Sequence, residues 1–353
     1  MDLTRLLEEA VTRKASDLHL VVGIPPTVRV NGELATLEQV RLNAVAVKTM
    51  IYGVLTPGHR EKLERNLELN FVLTLPSGQR FRVAVYYSKG SVEAAFRAIG
   101  LRPQTWQELG LPPVIATLGR KPGGLILLTS PAGHGKTTTM AAIVHLINQE
   151  RRCRVVTIED PIEYLHQNLN SVIIQREVGE DTRSFNGALV QVLRQDADVI
   201  CIGEMRDLET ISTALTAAET GHLVLATMHT PDAPQCINRI VDVFPAVQQE
   251  QIRYQVGAVL EGVIAQRLVP RADHTGRAVV CEVLVATAAV RNLVRENRID
   301  QIAIVMETGS ADGMVSWDRT LREMLQQRII SQETAIMRAR RPEVFKTPAA
   351  PPR

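Results

Sequence analysis

Short apolar runs and one amphipathic helix alternate over the first hundred residues. Near the start, apolar side chains recur at the spacing of one helical face, at Leu3, Leu6, Leu7, Ala10 and Val11. Strand-like runs follow at residues 17–22, 27–30, 33–36, 69–75, 79–87 and 91–99. Asn31-Gly32 separates the second and third runs, and this dipeptide favours a type I′ hairpin turn. Residues 1–100 are therefore predicted to form an α+β domain around a small, mostly antiparallel sheet.

The pattern changes after residues 101–114, a connector punctuated by proline and glycine. Beyond it, short apolar runs alternate with helical periods. The runs lie at residues 125–129, 155–159, 199–203 and 223–227. Buried strands separated by crossover helices predict a parallel α/β sheet. We assign residues 115–285 to this core, 286–346 to a C-terminal helical region and 347–353 to a disordered tail.

The composition of the 353-residue chain is that of a globular protein, with 45% hydrophobic and 22% charged residues. The formal charge of +2 argues against a surface made basic throughout for nucleic acid. The four cysteines form no C-x-x-C pair, so neither a zinc knuckle nor a disulfide framework is indicated.

No run of about 18 apolar residues occurs, and the N-terminus is polar. We therefore expect a soluble cytoplasmic protein that reaches a membrane only through a partner.

A glycine-rich loop lies between the apolar run 125–129 and the helical run 140–148. The loop and the start of the helix contain Ser130, Pro131, Ala132, Gly133, His134, Gly135, Lys136, Thr137 and Thr138. Strand, loop and helix in this order, with Gly-Lys-Thr, are typical of a P-loop that binds the phosphates of ATP. Gly133 and Gly135 let the backbone N–H groups turn toward the phosphates. Lys136 is predicted to bridge the β- and γ-phosphates, and the hydroxyl of Thr137 to bind Mg²⁺.

Ser130 stands where the usual P-loop pattern has glycine. Serine there is destabilising by about 1–2 kcal/mol if the position needs left-handed backbone. If the position does not need it, serine costs little.

Acidic residues and a histidine follow three of the predicted strands. Glu163 lies in the acidic turn after residues 155–158, Glu204 follows residues 199–202, and His229 follows residues 223–227. The carboxyl ends of parallel strands form the edge at which α/β sheets bind ligands. Glu204 is predicted to contact Mg²⁺ directly or through water, or to polarise the attacking water. His229 is predicted to sense the γ-phosphate, because it lies at the same edge as the P-loop and Glu204. The alternative for His229 is a structural histidine, and the alternative for Glu163 is a solvated acidic turn.

Taken in order, these motifs resemble the type IV pilus retraction ATPases (the PilT family), which belong to the secretion superfamily of hexameric ATPases. The blocks that carry the resemblance are residues 15–20, 25–34, 80–83, the P-loop, 157–164, 193–196, 203–207, 220–230, 265–268 and 290–296. The resemblance implies a PAS-like N-terminal domain joined flexibly to a RecA-like P-loop ATPase domain with C-terminal helices. It also implies a homohexamer that acts on an inner-membrane pilus platform protein, with a paralogous pilus ATPase as a possible second partner. The protein would then work in the cytoplasm, at the inner face of the cytoplasmic membrane.

The resemblance also implies roles for individual residues. Arg82 and Arg97 would reach the phosphates from the N-terminal domain, Glu163 would activate water, and Glu204 would be the Walker B acid. Ser130 and His134 depart from the family, which usually has glycine and serine at these positions. These departures bear on nucleotide affinity and turnover more than on the fold.

The sequence thus predicts a Mg²⁺-dependent ATPase motor for pilus retraction. The altered P-loop leaves open a low-activity accessory or regulatory subunit, and the superfamily includes pilus-assembly and secretion ATPases. The absence of a C-x-x-C zinc module favours the retraction branch. A DNA translocase on the same core is disfavoured by the near-neutral charge and by an aromatic content of only 4%. We therefore expect no nucleic-acid partner.

Overall fold

The computed structural model describes residues 2–30, 32–99 and 102–346. By internal contacts the chain divides into two compact units, Met1–Arg102 with Glu163–Leu165, and Pro103–Ile162 with His166–Arg353. Each unit contains a sheet and an apolar core of its own. Four parts of the sequence-based predictions lie outside the described residues: Met1 of the N-terminal domain, Asn31 of the hairpin turn, residues 100–101 where that domain meets the connector, and the tail 347–353.

The first unit is built on a six-stranded antiparallel sheet. Its elements, in chain order, are α1 (Leu3–Thr12), β1 (Asp17–Leu20), β2 (Thr27–Val30), β3 (Glu33–Thr36), α2 (Ala44–Val54), α3 (Pro57–Asn66), β4 (Glu68–Thr74), β5 (Arg80–Ser88) and β6 (Ser91–Ile99). The strand order is β3-β2-β1-β6-β5-β4. The predicted α+β character is confirmed, although β1 ends two residues earlier than predicted. Helices α2 and α3 were missed, even though Asn43 and Thr56 cap them with side-chain oxygens.

The second unit is larger and alternates strands with helices. Its strands are β7 (Gly124–Thr129), β8 (Arg154–Glu159), β9 (Val172–Glu177), β10 (Val199–Ile202), β11 (Leu223–Met228), β12 (Leu260–Pro270) and β13 (Arg277–Val285). Its α-helices are α4 (Val114–Gly119), α5 (Lys136–Glu150), α6 (Phe185–Val192), α7 (Leu208–Glu219), α8 (Ala233–Asp242), α9 (Ala246–Val259), α10 (Ala288–Arg295), α11 (Ile302–Thr308), α12 (Trp317–Gln326) and α13 (Gln332–Arg338). Short 3-10 helices lie at Ile299–Gln301, Gly309–Asp312 and Pro342–Phe345.

The seven strands of the second unit form one sheet in the order β13-β12-β7-β11-β10-β8-β9. Strands β7 to β12 run parallel, and β13 returns antiparallel to β12. Every residue of β7, β10 and β11 is buried, as expected for central strands covered by helices on both faces. This topology brings the carboxyl ends of β7, β10 and β11 to one edge of the sheet.

Three strands of this sheet were not predicted. The sequence of β9 carries polar side chains, and β12 begins directly after α9 without a turn residue to mark the boundary. Strand β13 contains a buried carboxylate, Glu282, which interrupts its apolar pattern. The α/β class is nevertheless confirmed, with helices after residue 285 as predicted. No helix in the part of the chain that the structure describes combines the length and apolar content that a bilayer crossing requires.

Candidate active site

The loop that joins β7 to α5 turns through two glycines with left-handed backbone. Gly133 has a φ of 76° and Gly135 a φ of 85°, and Gly135 is also the N-cap residue of α5. A Cβ at Gly133 would meet no atom within 4 Å, so the backbone conformation and not the space requires glycine there. The first N–H groups of α5 have no carbonyl partner within the helix. Amides at the positive end of a helix dipole are suited to bind phosphate oxygens.

The side chain of Lys136, in the first turn of α5, folds back onto this loop. Only 8% of the residue is exposed. Its ammonium group donates to the main-chain oxygen of Ser130 at 2.7 Å and to that of Pro131 at 3.3 Å. It also lies 3.2 Å from Nδ1 of His229. The positive charge of Lys136 is therefore held beside the loop amides.

Ser130 is fully buried at the start of the loop and is not among the residues with left-handed backbone. Its hydroxyl donates to the main-chain oxygen of Pro131 at 2.9 Å. The position does not need left-handed backbone, so the energetic penalty for serine in that conformation does not arise. Serine in place of glycine therefore costs little stability here.

His229 lies between the P-loop lysine and the acid that follows β10. Its Nε2 atom is 2.7 Å from Oε1 of Glu204, and the guanidinium of Arg206 contacts the same carboxylate oxygen. Burial and then the neighbouring Lys136 ammonium lower the pKa of His229, so the ring is neutral at pH 7. A neutral ring placed in this way donates from Nε2 to Glu204 and accepts from Lys136 at Nδ1.

Two threonines fix the strand ends that carry these side chains. The Thr129 hydroxyl, at the end of β7, donates to the main-chain oxygen of Thr230 at 2.6 Å. The same oxygen of Thr129 accepts from the Thr230 N–H at 2.8 Å. The residue after β11, His229, is thereby tied to the start of the P-loop. The sequence signal for this contact is the hydroxyl of Thr129 at the end of an otherwise apolar strand.

His134 anchors the P-loop to the neighbouring strand β12. The N–H of Leu268 donates to Nδ1 of His134 at 2.9 Å, and the Gln266 amide donates to the main-chain oxygen of His134 at 2.8 Å. Gln266 in turn accepts from the Thr139 hydroxyl of α5 at 2.7 Å. Burial lowers the pKa of His134, and the nearby cationic side chains lower it further, so Nδ1 remains an acceptor. The cationic groups are those of Arg267, Arg277, Arg338 and Lys136.

Gln266 belongs to the site although the motifs of the sequence do not assign it there. Its signal was a buried polar residue in the middle of the apolar run of β12. A glutamine in such a place needs hydrogen-bond partners, and here they are the loop and the helix that form the P-loop.

The remaining predicted site residues, Arg82, Arg97 and Glu163, belong to the first unit. Arg82 on β5 lies directly opposite Arg97 on β6, which is an unfavourable pairing of like charges unless anions are near. Arg97 donates from Nε to Oδ1 of Asp17 at 2.9 Å, and Arg82 Nη1 is 3.9 Å from Oε1 of Glu163. The structure thus brings these three residues together in one unit, while their roles toward the P-loop stay predictions.

The second unit offers side chains of the kind that ATP and Mg²⁺ require. The hydroxyl of Thr137 and the carboxylate of Glu204 are hard oxygen ligands, which Mg²⁺ prefers. The ammonium of Lys136 and the left-handed glycines supply the charge and the open backbone for phosphate oxygens. The residues present therefore fit a nucleotide with its metal ion.

The comparisons with known proteins agree with this chemistry. The family model described as "Type II/IV secretion system protein" matches residues 1–337. The type IV pilus "retractation ATPase PilT" of Pseudomonas aeruginosa is 40% identical over 345 residues, which are 98% of this chain and 100% of that protein. A "twitching motility protein" of Neisseria gonorrhoeae is 42% identical and covers 90% of this chain and 85% of its own length. A crystal structure of the pilus retraction motor PilT with bound ADP superposes with a TM-score of 0.90 at 41% identity, covering 98% of both chains.

Proposed function

Because the chain belongs to the Type II/IV secretion system protein family, and within it to the PilT family of type IV pilus retraction ATPases, we propose that it hydrolyses ATP to power pilus retraction. The observation that carries the proposal is the contact series from Lys136 through His229 to Glu204, at 3.2 and 2.7 Å. It joins the P-loop after β7 to an acid at the carboxyl end of β10, across the intervening strand β11. The group that binds phosphates and the acid for the metal ion are thereby at one edge of the sheet, as suits phosphoryl transfer.

The P-loop binds the phosphates of ATP through its backbone and one side chain. The amides from Ala132 to Thr138 donate to phosphate oxygens, whereas Pro131 has no N–H and contributes only to the shape of the loop. The ammonium of Lys136 moves from the main-chain oxygens of Ser130 and Pro131 to phosphate oxygens. This exchange is favourable because a carbonyl oxygen is a weaker acceptor for an ammonium than a charged phosphate is.

Thr137 and Glu204 would hold Mg²⁺ with their side-chain oxygens, and a bound ion would neutralise charge on the phosphate oxygens. His229 orients the carboxylate of Glu204 by donating from Nε2. Because the same ring accepts from Lys136, it also links that carboxylate to the group that binds the phosphates. His229 is thus suited to report the phosphate state to Glu204.

Glu163 acts as the general base and accepts the proton of the attacking water at a carboxylate oxygen. Arg82 and Arg97 stabilise the negative charge that develops on the phosphoryl oxygens, in the manner of arginine fingers. Their side-by-side placement on β5 and β6 supports this role, because two opposed cations are well matched to a multiply charged anion.

Six copies form a ring that acts on an inner-membrane pilus platform protein from the cytoplasmic side. A paralogous pilus ATPase is a further partner. Hydrolysis changes the relation of the N-terminal domain to the ATPase domain, and the ring converts these hinge motions into mechanical work. The family membership supports this assembly and this location.

The proposal is tested with the purified full-length protein. We expect ATP hydrolysis that depends on Mg²⁺ and is lost in Lys136→Ala, while Lys346→Ala, an exposed lysine, behaves as the wild type. A wild-type rate no higher than that of Lys136→Ala would contradict the proposal. Deletion of the gene distinguishes retraction from assembly, because loss of retraction gives excess immobile pili and loss of assembly gives cells without pili.

A further inference from the structure

The segment that carries Glu163 is tied at both of its ends to the same neighbouring strand. It leaves β8 at Glu159 and passes through residues 160–166. Before Glu163, the N–H of Ile162 donates to Oε2 of Glu177 at 3.0 Å. After it, the N–H of His166 donates to Oε1 of Gln175 at 2.9 Å. Both acceptors are side chains of β9.

The register of the sheet places these two acceptors on one face of β9. Gln175 and Glu177 are two residues apart, so their side chains point the same way from the strand. They pair with Thr157 and Glu159 of β8, respectively. The two acceptors of the segment therefore lie two residues apart on the same face of β9.

The amide of Gln175 is held in one orientation. Its Nε2 atom donates to Oε1 of Glu159 at 3.1 Å, and the same carboxylate oxygen accepts from the Thr157 hydroxyl at 2.6 Å. Glu159 is buried, so its carboxylate needs these donors. With Nε2 committed to the carboxylate, Oε1 is turned toward the N–H of His166. A planar amide cannot satisfy both neighbours in the flipped orientation.

We propose that Gln175 and Glu177 are positioning residues that set the place of Glu163. Between the two tied residues, Ile162 and His166, only three residues remain, and a span that short has little conformational freedom once both ends are fixed. The proposal rests on the proposed function, in which the Glu163 carboxylate takes the proton of the attacking water. A base that is displaced by about 1 Å lowers the rate of the chemical step by up to about 100-fold.

Three variants of the full-length protein test this. Gln175→Met removes the acceptor for the His166 N–H and also the donor to Glu159, whereas Glu177→Met removes only the acceptor for the Ile162 N–H. Both keep the size of the side chain, and Glu177→Gln keeps an acceptor oxygen. We expect kcat to fall about 10- to 100-fold in the two methionine variants, with KM for ATP and the Kd for ADP changed less than about threefold. Glu177→Gln recovers most of kcat. Gln167→Ala, an exposed glutamine of the same loop, is the matched control.

Combination with Glu163→Gln separates positioning from a general loss of structure. If Gln175 acts through Glu163, adding Gln175→Met to Glu163→Gln lowers the single-turnover rate no further, because the group it positions is already lost. A further drop equal to that seen in the wild-type background overturns the proposal. If Gln175→Met does not fold, Glu177→Met is compared with Glu177→Gln instead. Equal kcat values in these two variants overturn the proposed positioning role.

The outcomes also distinguish this inference from the proposed function. An inactive Glu163→Gln together with wild-type kcat in both methionine variants overturns the positioning role alone. A fully active Glu163→Gln overturns the assignment of the base, and the positioning role with it. Loss of kcat in the methionine variants with loss of ADP binding of the same size points to general disruption and overturns the positioning role.

Discussion

The Nε2 atom of His229 lies 2.7 Å from Oε1 of Glu204, at the meeting point of two parallel strands. These residues are 25 positions apart in the chain and come together because β10 and β11 are neighbours that end at the same edge. The other nitrogen of the ring faces Lys136, which is 93 positions away. One imidazole therefore joins three sequence motifs.

From this arrangement we predict that His229→Ala lowers kcat by about 10- to 100-fold and changes KM for ATP by less than about threefold. In the proposed site the ring orients Glu204, while the P-loop binds the phosphates without the ring. Steady-state hydrolysis measured over a range of ATP concentrations checks this. A rise in KM with an unchanged kcat would show instead that His229 contributes to ground-state binding.

His134 is expected to act through the shape of the P-loop. His134→Phe leaves the N–H of Leu268 without its acceptor, and we predict that KM for ATP rises about 10-fold. His134→Asn, whose side-chain oxygen lies near the place of Nδ1, recovers most of this loss. In the wild type, protonation of His134 removes the acceptor, so KM rises only when the pH falls well below 6.5, because the pKa is lowered. Profiles of KM against pH for wild type and His134→Asn check this, and identical profiles would contradict it.

A buried ion pair ties the C-terminal segment to the sheet. Glu282 on β13 is fully buried and pairs with Arg340, whose side chain is 43% exposed, at 2.8 Å. We predict that Arg340→Ala lowers the free energy of unfolding by about 2 kcal/mol at pH 7.5, less than for a fully buried pair because Arg340 is partly solvated. Burial raises the pKa of Glu282, and the charge of Arg340 lowers it. Because Arg340→Ala removes the lowering effect, the pKa of Glu282 rises further in this variant.

The sign of the pH dependence follows from this raised pKa. A carboxyl that is easier to protonate in the folded state destabilises the fold as the pH rises above about 4.5, the range in which the unfolded carboxyl ionises. The loss in Arg340→Ala is therefore smaller at pH 5 than at pH 7.5. Urea unfolding at both values measures it, with the exposed Arg322→Ala as control. Equal losses at the two pH values would contradict the role of Glu282.

His166 is predicted to limit stability in acid. Burial, with a smaller effect of His145, lowers the pKa of His166 to about 4. The unfolded chain therefore takes up a proton near pH 6.5 that the folded chain does not, and stability falls as the pH drops below 6.5. Between pH 7.5 and pH 5 this amounts to about 2 kcal/mol. His166→Gln removes this contribution and keeps the N–H that contacts Gln175.

The measurement is the difference in unfolding free energy between wild type and His166→Gln at the two pH values. We expect the variant to gain relative to the wild type as the pH falls. His274→Asn, at an exposed left-handed position that asparagine tolerates, should show no such gain. A difference that does not depend on pH would contradict the prediction.

Motifs made of consecutive residues were predictable from the sequence. The P-loop could be identified because strand, glycines, lysine and helix follow one another, and the glycines report the left-handed backbone that they adopt. Glu204 and His229 could be assigned to one edge because parallel strands share the direction of their carboxyl ends. The roles of Ser130 and His134 could not be assigned, since a substitution in a motif does not reveal which neighbour it contacts.

By itself the sequence determined the α/β class, the P-loop and the family, because each depends on local periodicity or on residues close together in the chain. Only the tertiary structure decided that His134 is anchored to Leu268 and that Gln175 and Glu177 tie the segment of Glu163. Those contacts depend on strand order and register, which put β12 beside β7 and β9 beside β8. A shift of one residue in either pairing would turn these side chains to the opposite face, and no local pattern in the sequence specifies the register.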